Sequence, residues 1–141
     1  IAAIIIFYFF SVNLSSDNEE VFSKFNDQAV LISDSLLSEG LPENWDSSNV
    51  VRIGLFGSDG KIDEAKLANF YGLATNNYSK TRALFGISDN YFVTFTPEIA
   101  IDGSSVEFIG AQSAFYNNKV QSTRIAAYNG TIYTLKVFVW D

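Results

Sequence analysis

The sequence predicts an α+β fold, and three observations carry that expectation. A helical pattern fills the first quarter of the chain, two short helical segments follow a single apolar strand pattern, and the rest reads as β up to a closing hairpin. The expected architecture is a long N-terminal helix, apolar in its front half and amphipathic in its rear half, packed on a mostly antiparallel β head with two short helices. A stem helix over 1–38 and a globular α+β head over 39–141 are the expected divisions. With 141 residues the chain is one domain's worth, and about 100 of them remain for a head once the stem is set aside.

Ile1 to Phe10 (IAAIIIFYFF) is apolar apart from the Tyr8 hydroxyl, and neither Gly nor Pro separates it from the next helical stretch. Val21, Phe22, Phe25, Ala29, Ile32 and Leu36 then recur at spacings of three and four, the stripe of a helix that packs one face on a head. The expected head-packing face is Phe22, Phe25, Ala29, Ile32 and Leu36. Asn13 to Glu20 between the two halves is polar and acidic, and a kink is expected there. A helix from Ile1 to Leu37 would measure roughly 55 Å at about 1.5 Å per residue, more than one compact domain needs, so part of it is expected to protrude. Gly40 and Pro42 close it, Gly as a left-handed cap.

Val50 to Leu55 (VVRIGL) reads as a buried strand before the Gly57–Gly60 turn. Asp63 is placed to cap a helix carrying Leu67, Phe70, Tyr71 and Leu73, and Ser79 to cap a second one ending at Gly86. Strand patterns follow at Tyr91–Thr96, Glu98–Ile101 and Val106–Ile109, with a turn at Asp102–Ser105. Val120–Tyr128 and Thr131–Trp140 flank Asn129-Gly130, the strongest short hairpin signal, because both central residues of a type I′ turn need positive φ.

Composition narrows the function classes. Aromatic residues make up 16% and charged residues 18%, which excludes disorder and favours a β-rich head. The formal net charge of −7, with no basic stripe, argues against a nucleic-acid partner. There is no Cys and no His, which removes disulfides, thiol chemistry and the commonest general base. No catalytic residue, metal ligand or cofactor is expected, and the chain is read as not an enzyme. Gly57 to Lys66 (GSDGKIDEAK) imitates part of a calcium loop. Aligned on Gly60, however, Leu55, Gly57 and Lys66 stand where oxygen ligands belong, so a turn followed by a helix cap is the simpler account. Glu19–Glu20 and Asp63–Glu64 point about 100° apart on a helix and read as solvated faces. Trp45 and Trp140 read as core or strand-edge residues.

Three sequons occur, at Asn13, Asn77 and Asn129. All three are candidate N-glycosylation acceptors. Asn77 and Asn129 fall in a loop and a hairpin turn, where exposure is expected, while Asn13 adjoins the apolar block.

The apolar block is half the length of a membrane span, which takes about 20 residues. Apolar around its full circumference, it must lie in lipid or among neighbouring chains; the rival account is a buried core helix of a larger soluble domain. Burying its eight large side chains at about 1.5–3 kcal/mol each has an upper value of roughly 12–24 kcal/mol, enough to hold a filament. The chain opens without Met, which suggests a processed product or a fragment with residues missing upstream.

Residues 41 to 56 (LPENWDSSNVVRIGLF), 81 to 95 (TRALFGISDNYFVTF) and Arg124 to Trp140 (RIAAYNGTIYTLKVFVW), behind an apolar N-terminal segment, resemble an archaeal type IV pilin-like protein of the class III signal-peptide family. The resemblance implies a structural subunit of an extracellular, cell-surface filament, a helical polymer of itself used for adhesion. It further implies a membrane-inserted precursor, a leader peptidase, an assembly ATPase and a membrane platform. Ile1, Ile4, Ile5, Ile6, Phe7, Phe9, Phe10 and Val12 would then pack the filament core, with the heads outward. The family's early glutamate has no counterpart within Ile1–Phe10. The rival reading is a membrane-anchored surface protein that binds a partner without polymerising.

Overall fold

In the computed structural model, residues 19–141 are described, together with the backbone of Phe7–Phe9. Element order is β1 (Phe7–Phe9), α1 (Glu19–Leu36), α2 (Glu64–Asn76), α3 (Tyr78–Phe85), β2 (Asn90–Thr96), β3 (Ile99–Ile101), β4 (Ser104–Val106), β5 (Ile109–Gly110), β6 (Lys119–Tyr128) and β7 (Thr131–Trp140). A five-stranded antiparallel sheet runs in the order β1-β6-β7-β2-β5, and β3-β4 form a separate ribbon.

The expected long helix is corrected. The described helix starts at Glu19, and Phe7–Phe9, assigned to the same helix from sequence, is a strand paired with β6. An unbroken apolar run has no period, so it cannot distinguish helix from strand, and Ile and Phe favour strands wherever an edge is available. Residues 1–6 and 10–18, with the proposed core positions Ile1, Ile4, Ile5, Ile6, Phe10 and Val12 and the acceptor Asn13, lie outside the described residues.

Helix α1 lies across β6 and β7. Phe25, Ala29, Ile32 and Leu36 are buried against the sheet, and Phe22 is partly buried beside them. Small residues let the helix approach: the Ser33 hydroxyl donates to the Ala29 carbonyl at 2.8 Å and meets the Ser122 hydroxyl at 3.0 Å.

Val50–Leu55 is not a strand. Val51 N–H and Arg52 N–H donate to the Leu41 carbonyl, forming one isolated bridge, while Leu55 N–H donates to Leu36 O at 2.9 Å and Phe56 N–H to Ser38 O at 3.0 Å. The segment satisfies the open carbonyls at the end of α1 instead of extending a sheet. Trp45, 2% exposed, closes this junction by donating from Nε1 to Gly54 O at 2.8 Å. Gly40 has φ +78 beneath the Trp45 ring, four residues past α1, so it shapes this loop and does not cap the helix.

Asp63 caps α2, its carboxylate accepting from Lys66 N–H at 3.0 Å. The cap of α3 is Asn77 and not the expected Ser79: its side chain accepts from Lys80 N–H at 3.3 Å. Gly86, at φ +76, ends the helix in the left-handed region. The expected strand Val106–Ile109 is divided, Val106 pairing with β3 and Ile109 with β2. The core gathers Phe25, Ile32, Trp45, Leu67, Phe70, Tyr91, Val93, Leu135 and Val137 on the α1 side of the sheet.

Candidate functional site

The closing hairpin fixes which side of β6 can receive another strand. Tyr128 and Thr131 flank Asn129-Gly130, with φ +50 and +78, and pair directly. A two-residue type I′ turn is closed by a hydrogen-bonded pair, and such pairs then recur at every second residue. Tyr128, Ala126, Arg124 and Ser122 therefore turn their N–H and C=O toward β7, and Ala127, Ile125, Thr123 and Gln121 turn theirs away. Two observations agree with this parity. The Ala127 carbonyl accepts Ile62 N–H at 2.9 Å, and β1 takes the same edge with Phe7 opposite Thr123 and Phe9 opposite Gln121.

The sheet face turned away from α1 forms the second part of the site. Cross-strand register sets Gln121, Phe138 and Phe92 in one row, with Thr123, Lys136 and Thr94 in the next. Phe92 and Phe138 stack with ring centres 4.5 Å apart, Phe108 meets Phe92 edge-on, and the Lys119 ammonium lies 5.1 Å from the Phe138 ring centre. Further along, Ile132 is 63% exposed. This is an aromatic and β-branched surface running up to the β6 edge.

Beneath that edge, on the α1 side, Arg124 is 1% exposed. Its Nη1 donates to the Ser122 hydroxyl at 2.8 Å and to Thr123 O at 3.2 Å, and its Nη2 reaches the Asp34 carboxylate at 3.5 Å. A buried guanidinium needs such partners, because leaving it unpaired costs several kcal/mol, about 3–5 when one partner of a buried pair is removed.

A cleft of about 450 Å³ opens at the hairpin end, lined by Asp59, Lys61, Asp63, Glu64, Asp102, Tyr128, Asn129 and Tyr133. Burial, followed by the charge of Glu64, pushes the Tyr128 phenol above its usual value. Asp63 and Asp59 are already engaged as acceptors for Lys66 N–H and Lys61 N–H, the second at 3.1 Å. Among the described residues no group of three or more His, Cys, Asp or Glu side chains could hold a metal ion.

Of the acceptor candidates, Asn77 and Asn129 are exposed, Asn77 between α2 and α3 and Asn129 at the tip of the β6–β7 turn. Of the two sets of predicted packing residues, Phe25, Ala29, Ile32 and Leu36 are buried in the core, and the backbone of Phe7–Phe9 pairs along β6; the remaining predicted core positions lie outside the described residues. Sequence reasoning missed the β6 edge. The Asn-Gly turn carried the parity signal, but which strand lies at the edge is a tertiary fact. No helix among the described residues is long and apolar enough to cross a membrane. No protein-family model, curated protein or solved structure matches the chain.

Proposed function

We propose that the chain is the structural subunit of an extracellular archaeal type IV pilus-like filament serving adhesion, built by contacts of the apolar N-terminal segment with copies of itself. The observation that carries this reading is the run IAAIIIFYFF, apolar but for the Tyr8 hydroxyl, of which Phe7–Phe9 lies at the sheet margin. Such a run in water costs roughly 1.5–3 kcal/mol for each large side chain left uncovered. It is held in lipid before assembly and among neighbouring subunits afterwards. Lipid and neighbours are about equally apolar, so the direction of transfer comes from packing and from the assembly machinery that the pilin resemblance implies. A repeating contact that does not close on itself makes a helical filament. The exposed Asn77 and Asn129 then lie on the outer surface as glycan acceptors, and no catalysis is assigned.

Electron microscopy of the purified full chain and of the cell surface tests this. Smooth filaments with this subunit repeating are expected, and Ile5→Asp should abolish them while circular dichroism of the body is unchanged, because an unpaired charge among packed apolar groups is costly. Dispersed monomers in detergent would replace the filament reading with a tethered, non-polymerising surface protein.

A further inference from the structure

We infer that the cleft at the hairpin end seats a neutral glycan carried by Asn129, with its first sugar rings on Tyr128 and Tyr133. The inference rests on the reading of the chain as a surface-filament subunit, and it separates the two exposed acceptors by what surrounds them.

Asn129 stands at the tip of the β6–β7 turn and is itself part of the cleft wall, so a sugar on its Nδ2 begins at the cleft. Thr131, exposed on the far side of the turn, completes the sequon. Attachment joins Nδ2 to the anomeric carbon of a lipid-linked sugar phosphate. The bond from that carbon to the phosphate oxygen breaks, the phosphate leaves with the electron pair, and the amide releases one proton. At about 450 Å³ the cleft falls within the roughly 300–1,000 Å³ of small-molecule sites. Two tight hairpin turns frame it, Asp102-Gly103 with φ +51 and +81 and Asn129-Gly130 with φ +50 and +78.

A pyranose ring has apolar C–H faces and a rim of hydroxyls, and the lining offers partners for both. The Tyr128 and Tyr133 rings are partly buried, with centres 6.1 Å apart and planes at 52°, and Phe95 braces Tyr133 edge-on at 6.3 Å. Around them Glu64 and Asp102 supply exposed acceptors and Lys61 an exposed donor. Charge selects the sugar. Asp59, Asp63, Glu64 and Asp102 face the Lys61 ammonium across the lining, an excess of negative charge that repels an acidic sugar and suits a neutral one.

The setting of Asn77 differs. Its side-chain oxygen is engaged as the cap of α3, accepting from Lys80 N–H. The adjacent Tyr78 ring is already stacked on Tyr91 at 5.1 Å, with the Arg82 guanidinium 5.3 Å from its centre. A glycan on Asn77 therefore gains no aromatic seat from its neighbour.

The test compares the full chain purified from its native cells with the same chain made in a host without N-glycosylation, both as detergent-dispersed subunits. Peptide mass spectrometry should find Asn129 modified, with neutral sugars next to the asparagine. Thermal unfolding followed by far-UV circular dichroism should place the glycosylated chain about 3–5 °C above the bare one, the gain expected of one ring contact in a domain of this size. Asn77→Gln should leave that gain intact. Tyr133→Leu removes the ring while keeping apolar bulk and should abolish the gain, whereas Tyr133→Phe should retain it. Each variant is compared with its own bare form, so its intrinsic stability cancels. Nuclear Overhauser contacts between sugar protons and the Tyr133 ring, expected in the parent, give the same reading without a variant. Filaments with Asn129 unmodified, an acidic sugar at the asparagine, a gain that survives Tyr133→Leu, or no sugar–Tyr133 contacts would each overturn the seat and leave the filament reading standing. A Tyr133-dependent gain on subunits that never form filaments would support the seat and overturn the filament reading.

Discussion

Gly54→Ala probes the junction from which α1 hangs. A Cβ at this position would lie 2.2 Å from Gly40 N, 2.4 Å from Ser38 O and 2.7 Å from Glu39 C. All three are backbone atoms, so no rotamer change relieves the clash. Opening the closest contact even to 3.0 Å needs a shift of about 0.8 Å, which would stretch the bonds Leu55 N–H to Leu36 O, Phe56 N–H to Ser38 O and Trp45 Nε1 to Gly54 O beyond useful length. Overpacking costs about 1–3 kcal/mol, and each buried group left without a partner costs about 1–3 kcal/mol. With one or two bonds lost, destabilisation of about 3–5 kcal/mol is expected, a fall in Tm of about 10–20 °C for a domain of this size. Gly72→Ala is the matched control: it lies within α2 with nothing within 4 Å of its added Cβ, and it should gain up to about 1 kcal/mol from helix propensity. Urea unfolding followed by far-UV circular dichroism measures both. A Gly54→Ala chain within about 1 kcal/mol of the parent would refute the packing argument.

Ser122→Ala removes the hydroxyl that accepts from Arg124 and meets Ser33, and a loss of about 1–3 kcal/mol is expected in the same urea assay; an unchanged midpoint would show that the buried guanidinium does not depend on it. Tyr91 predicts an alkaline effect: burial raises its phenol well above the usual value of 10, outweighing the lowering effect of its hydrogen bond with the Thr81 hydroxyl. Above pH 10 the unfolded chain releases a proton that the native state retains. The stability from this group is therefore full below about pH 10 and declines as pH rises toward the folded value. Tyr91→Phe should lose about 1 kcal/mol at neutral pH and show a shallower alkaline decline, so parallel stability curves for parent and variant between about pH 9 and 11.5 would contradict it.

Local chemistry was legible where the signal is local. Asn129-Gly130 marks the hairpin, Asp63 caps α2, Gly86 ends α3, and the spacing of Phe25, Ala29, Ile32 and Leu36 marks a buried helix face, because each rests on φ, capping or period alone. What failed depended on partners distant in sequence. Val50–Leu55 has strand composition, yet its hydrogen bonds go to the end of α1, and Val51 is left 67% exposed. At the α3 start the sequence reading placed the cap at Ser79, yet Asn77, an equally good capping residue two positions earlier, takes that role. Along β6 the buried row is Val120, Ser122, Arg124 and Ala126, half of it polar, so hydropathy alternation hides its inward face. Residues Phe7–Phe9 were misassigned because a uniformly apolar run records a need for cover and not the geometry that supplies it.

The order of synthesis gives the α1–β6 contact a consequence in time. Lys119 lies 83 positions after Leu36, so α1 emerges before the strands it packs on exist. At about 5–20 residues per second the wait is roughly 4–17 s, long compared with hydrophobic collapse. During that interval the apolar face of α1 has no sheet and the segment before it has no edge to join. Apolar surface is thus most exposed before β6 and β7 are made, and whatever shelters residues 1–36 acts before the body has folded.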